Sequence, residues 1–196
     1  MNYPLQITFK VLALAQQLSI TDATGNLIFY VKQKAFKLKD SVTVFADAEQ
    51  TRPAFAINAD RVLDFSASFH ITDMSGRPLG SIKRQGKKSL WKAHYEIFDG
   101  QQPHPALIIK EENPWSKVFD ALFSEIPLVG IFTGYVFNPS YLVARLDGRP
   151  VMRLKKERSF LGKRFSINQL AGIDQTEELR ILLGLIMMIL LERHRG

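Results

Sequence analysis

The 196-residue chain has no cysteine. That excludes a disulfide framework, a thiolate nucleophile and cysteine-bound zinc. It has no apolar run of membrane-spanning length either. The longest uninterrupted one, Ile181 to Leu191, is eleven residues, whereas a span needs about 20. The start, MNYPLQITFKVLALAQQ, has no basic leader and is broken by Lys10, so no secretory signal is expected and the protein is expected in the cytoplasm. Histidines 70, 94, 104 and 194 have no metal-ligand spacing, and His70 and His94 read as strand-wall residues. No Gly-x-Ser-x-Gly elbow occurs. Gly80, Gly86 and Lys87 fall short of a phosphate loop, because five residues separate the glycines and Lys88 replaces Ser or Thr. Glu111 and Glu112 are adjacent, so in a strand they point to opposite faces and build no acid/base pair. The expectation is a protein with no enzymatic activity, no metal and no cofactor.

What the chain does have is positive charge and an alternating pattern. It carries 26 Lys and Arg against 19 Asp and Glu, a formal charge of +7, which suggests an acidic partner. Up to about residue 170, apolar and polar residues alternate between turn signals, as half-buried antiparallel strands require. Leu5, Ile7, Phe9 and Val11 form one such set; Val42 and Val44, Phe69 and Ile71, and Ala93, Tyr95 and Ile97 form others. A unit recurs at 20–45, 71–98 and 143–167: apolar strand, Gly turn, second strand ending in Lys or Arg, basic turn, third strand. Its turns are Asp22 to Gly25, Asp73 to Gly76 and Asp147-Gly148. There Asp bonds the local backbone and Gly takes a positive φ. The glycines lie 51 and 72 residues apart, so this is a repeated meander and not a solenoid.

Two segments read as helical. In 113–123, Trp115, Val118, Phe119, Leu122 and Phe123 form a stripe after Asn113-Pro114, and Pro127 ends it; strand is expected to resume beyond. The second segment follows Asp174 and Glu177, which suggest a capping box for a helix from about 175 to 193. Its core, LRILLGLIMMILL, has Arg180 as its sole polar residue. A helix apolar all round and too short for a membrane is expected at the centre of the fold.

Asp-Gly meanders with basic second turns, followed by a wholly apolar C-terminal helix, resemble the tubby C-terminal-like superfamily. Within it the chain is most similar to the LURP-one-related and phospholipid-scramblase-like branch. The most specific pieces are ITDMSGRPLGSI, LDGRPVMRLKKE and the last helix. The resemblance covers roughly 5–193 and implies one domain over 1–196: a closed antiparallel β-barrel of about twelve strands around the helix, which leaves no unpaired edge. The chain lacks the Pro-rich arm, Cys-rich segment and calcium loop of scramblases, so lipid translocation and calcium dependence do not carry over.

The basic hairpins carry the functional expectation. Fifteen of the 26 Lys and Arg lie in the basic stretches of the three repeats, 32–39, 83–92 and 153–164, against one acid there, Glu157. The candidate anion- or lipid-binding residues are Lys32, Lys34, Lys83, Arg84, Lys87, Lys88, Lys155, Lys156 and Arg158. The expected partner is an anionic membrane surface or another polyanion, met by a peripheral module at the inner face of the membrane. One rival is a structural or protein-interaction module whose charge confers solubility. The other is nucleic-acid binding, for which only Phe36, Trp91 and Phe160 offer stacking aromatics among the basic residues.

Overall fold

Leu5, Ile7 and Phe9 are buried while Gln6 and Thr8 between them are half-exposed. The strand they form, β1 (Leu5–Phe9), is the first of twelve in a computed structural model that describes residues 1–10, 16–33, 41–61, 67–85, 94–100, 102–112, 139–157 and 164–195. The others are β2 (Gln16–Thr21), β3 (Leu27–Gln33), β4 (Ser41–Phe45), β5 (Pro53–Ala59), β6 (Ser68–Asp73), β7 (Pro78–Arg84), β8 (His94–Phe98), β9 (Leu107–Glu111), β10 (Ser140–Arg145), β11 (Pro150–Glu157) and β12 (Arg164–Gln169). Each pairs antiparallel with its sequence neighbours, and β1 also pairs with β12, Leu5 facing Ile167, so the sheet closes into a barrel. Val11, Ala93, the helical stripe of 113–123 and the strand expected after it lie outside the described residues.

The sequence repeat becomes a threefold repeat of four-strand units: β2 to β5, β6 to β9, and β10 to β12 completed by β1. The β2–β3, β6–β7 and β10–β11 turns share one geometry. Gly25, Gly76 and Gly148 have φ of 86°, 85° and 88°, which L side chains adopt at a cost. Their amides donate to the carbonyls three residues back at 3.0, 3.0 and 2.9 Å. A register shift precedes each turn, the bulge that matches such turns to the strand twist. Six residues beyond each glycine stand Val31, Ile82 and Leu154, all with no exposed surface. They face Val44, Ile97 and Ile167 on the next strands. The β4–β5 hairpin repeats the turn with Gln50, at φ 62°, in the glycine position.

Down the middle runs α1 (Gln175–Arg195), about 31 Å long at 1.5 Å per residue. Ile181 to Leu190 are all buried. Each large apolar side chain there stabilises the fold by about 1.5–3 kcal/mol relative to exposure. Asp174 caps the helix, its Oδ1 accepting from the amides of Thr176 and Glu177 at 2.8 and 2.9 Å. The capping box is only half made, because the Glu177 carboxylate turns to the Arg145 guanidinium at 2.9 Å. Among the described residues no helix is long and apolar enough to cross a membrane.

Candidate anion-binding end of the barrel

Odd-numbered strands run one way and even-numbered strands the other, so the two mouths of the barrel differ in the residues they collect. The Asp-Gly turns and the start of α1 share one mouth. The C-terminal ends of β1, β3, β5, β7, β9 and β11 share the other, where α1 emerges.

Among the described residues, lysine stands at one mouth alone. Lys10 follows β1, Lys32 closes on the end of β3, Lys83 on that of β7, Lys110 on that of β9, and Lys155 and Lys156 on that of β11. All six described lysines therefore stand at the α1-exit mouth. The chain's remaining eight lysines belong to segments 34–40, 86–93, 113–138 and 158–163, outside the described residues; Lys34, Lys87, Lys88 and Arg158 are among the residues there. Among the described residues this mouth holds twelve cations against six carboxylates, with Arg153 counted beside its partner Glu112, and the Asp-Gly mouth nine carboxylates against five arginines.

The repeat orders these lysines. Lys32, Lys83 and Lys155 each lie seven residues beyond their turn glycine and one beyond a fully buried residue. Strand alternation then turns all three outward, and all three are exposed. They stand on β3, β7 and β11, four strands apart around a ring of twelve. Equivalent hairpins thus do not bring their charges together on one wall; they distribute them evenly around one rim. Glu96 stands across from Lys83 in register and offsets part of its charge.

Two residues expected at the surface are placed otherwise. Arg84 is buried, 8% exposed, with its guanidinium 6.0 Å from the centre of the Tyr95 ring. The reason is the same alternation: two residues after inward Ile82, Arg84 also points inward. Lys156 is not at an exposed turn. It is half-buried, two residues after inward Leu154, and lines a cavity of about 130 Å³ with Phe9, Tyr141, Phe165, Met188 and Glu192.

The helix exit is anchored to the wall at two points. Tyr95 donates its hydroxyl proton to Glu192 at 2.5 Å. Burial, and next the charge of Glu192, push the Tyr95 phenol well above its ordinary value. Arg193 lies over the Phe9 ring at 4.3 Å, within cation–π range. At the other mouth cations are spent on internal pairs: Arg77 with Asp73 at 3.1 Å, Arg145 with Glu177, and Arg149 with Asp147 at 2.5 Å. Asp22, Asp73 and Asp147 are held below the usual carboxylate range, chiefly by hydrogen bonds from Thr24, Ser75 and Arg149.

Lys10 and Lys110 complete the basic rim, although they fall outside the repeated basic hairpins and hairpin spacing gave no sign of them. Strand direction was the usable signal, since both follow or end odd-numbered strands. Among the described residues no group of three or more His, Asp and Glu is placed to hold a metal ion.

No curated protein and no solved structure is detectably similar to this chain. A family profile, however, matches residues 27–177, from β3 to the first turn of α1. That stretch covers most of the barrel, and the chain belongs to the LURP-one-related family.

Proposed function

We propose that this barrel is a non-enzymatic peripheral module that attaches to anionic phospholipid surfaces through its lysine-bearing mouth, at the cytoplasmic face of a membrane. The observation that carries the reading is the segregation of lysine: all six described lysines stand at one mouth, and the described residues of the opposite mouth are net acidic. Near anionic headgroups each Lys or Arg contributes about 1 kcal/mol. Several together give reversible attachment without a stereospecific pocket. The resemblance to tubby-like and scramblase-like barrels supports the same reading.

The test is flotation with phosphatidylcholine vesicles, with and without phosphatidylserine, beside a titration with duplex DNA. The expected result is binding to the anionic vesicles alone, weakening as salt shortens the Debye length from about 8 Å near 0.15 M. Equal affinity for DNA would replace the lipid reading with a general polyanion one. No affinity for either would leave a structural or protein-interaction module.

A further inference from the structure

Of the five arginines at the Asp-Gly mouth, four have acids to answer them. Arg77, Arg145 and Arg149 are in ion pairs, and the charge of Arg52 acts on Asp47. Arg180 is the fifth. It is half-buried, donates its Nε proton to the Leu79 carbonyl at 2.7 Å, and pairs with no carboxylate among the described residues. The Nη1 and Nη2 end of its guanidinium is left over, and that fork grips a carboxylate through two parallel hydrogen bonds. Arg180 also lines a cavity. We propose that this cavity binds a small monocarboxylic acid with an apolar body, its carboxylate seated on Arg180. The site lies at the mouth opposite the lysine rim and is independent of attachment to lipid.

The cavity measures about 470 Å³, within the range of about 300–1,000 Å³ usual for small-molecule sites. Pro78 and Leu79 of β7, Gly100 after β8, and Thr176, Leu179 and Arg180 of α1 line it, all of them described residues. Pro78, Leu79 and Leu179 offer apolar surface to a carbon body, and Gly100 contributes backbone alone. The start of α1 is not what would attract the anion, because Asp174 already accepts from the Thr176 and Glu177 amides. The backbone is shaped around the arginine. Gly80, at φ 145°, leaves free the space of a Cβ that would lie 3.0 Å from Cδ and Nε of Arg180. Any donor would tie the helix to Leu79. A whole guanidinium adds a charge that has lost part of its water, and an acid entering the cavity restores a partner to it.

The surroundings limit the ligand to one negative charge. Asp99 lines the same cavity, and the mouth around it is net acidic, so a dianion such as phosphate is disfavoured. A monocarboxylate is held by contact with one fork and not by long-range attraction. A partly enclosed pair of this kind is screened less by salt than exposed lysines are.

The test is an NMR titration of the isotope-labelled whole chain, followed at the backbone amides and at the Arg180 Nε proton. The probes are benzoate, phenylacetate and hexanoate, with acetate, benzamide and inorganic phosphate as comparisons. The expected result is saturable shifts at Leu79, Gly100, Leu179 and the Arg180 Nε proton with at least one of the three larger acids. Acetate and benzamide should bind at least about tenfold more weakly and phosphate not at all. A tenfold rise in salt should change the affinity by less than about threefold. Arg180→Lys keeps a charge and a donor for Leu79 but loses the fork, and should weaken binding about tenfold. Thr176 is exposed at the cavity's edge, so Thr176→Trp should block entry while leaving the melting temperature unchanged. No saturable shift from any of the three acids at about 10 mM overturns the proposal. Equal affinity for benzamide and benzoate overturns it as well, since the arginine would then play no part. So does undiminished binding by Thr176→Trp, which would put the ligand elsewhere on the barrel.

Discussion

Arg180, the one polar residue in the apolar stretch of α1, donates its Nε proton to the backbone carbonyl of Leu79 at 2.7 Å. The residue beside that carbonyl is Gly80, at φ 145°. A Cβ there would lie 2.3 Å from the Phe98 carbonyl oxygen and 3.0 Å from Cδ and Nε of Arg180. The glycine therefore makes room both for the β7–β8 pairing and for the arginine that ties the helix to the wall.

Gly80→Ala is expected to destabilise the barrel by about 1–3 kcal/mol, the range for a backbone held where an L side chain does not fit. Ala at Gly172, where nothing lies within 4 Å of the added carbon, is the control and should change little. Urea denaturation of both variants checks this.

Removal of the helix should abolish the fold, because its buried residues form one core with the inward-facing residues of the wall. A chain stopped before Asp174 is expected to show no cooperative thermal transition. Leu183 has no exposed surface, and Leu183→Asp should behave nearly alike, since an unpaired buried charge costs several kcal/mol. A sharp calorimetric transition in the truncated chain would contradict a core built on α1.

Acid should act through the turn aspartates. Their folded values lie below the ordinary carboxylate range, so the unfolded chain takes up protons first as pH falls. The stability they supply is complete above about pH 4 and is lost as pH drops further through their depressed values. Melting temperature should therefore hold between about pH 7 and about pH 5 and fall below about pH 4, with Asp73→Asn reducing the size of that fall.

Alkali should act through tyrosine with the opposite sign. Burial raises Tyr95 and Tyr141, aided by Glu192 and Glu111 respectively, and burial with the Glu178 hydrogen bond raises Tyr3. Unfolded tyrosine releases its proton near pH 10 while the folded groups keep theirs, so stability is complete below about pH 10 and declines above it. Tyr95→Phe should flatten that decline. At neutral pH it should cost about 1.5–3 kcal/mol, the value of a hydrogen bond to a charged group such as Glu192, and chemical denaturation at both pH values checks it.

The parts of this fold legible in the sequence were those set by local chemistry. Asp22-to-Gly25 and Asp73-to-Gly76 marked turns because Asp and Gly serve there for reasons internal to the turn. Ile181 to Leu190 marked the core because no polar face was left to point outward. Closure was not legible from periodicity: β1 completes the third unit from the opposite end of the chain, and such a pairing leaves no local mark. The resemblance supplied it. At the candidate site, counting charges placed Arg84 and Lys156 with their neighbours. Alternation from Ile82 and Leu154 separates them, since period two sends Lys83 and Lys155 outward and the next residue inward. The even distribution of the three lysines follows from strand order, which spacings of 51 and 72 residues between the glycines hide.

The most direct measurement is the partition of one triple variant, Lys32→Gln with Lys83→Gln and Lys155→Gln, onto phosphatidylserine vesicles at physiological salt. These side chains are exposed, so the melting temperature should stay close to that of the parent protein. Vesicle affinity should fall by roughly a hundredfold at about 1 kcal/mol per lysine. Undiminished binding by a variant that melts normally would contradict attachment through the lysine rim.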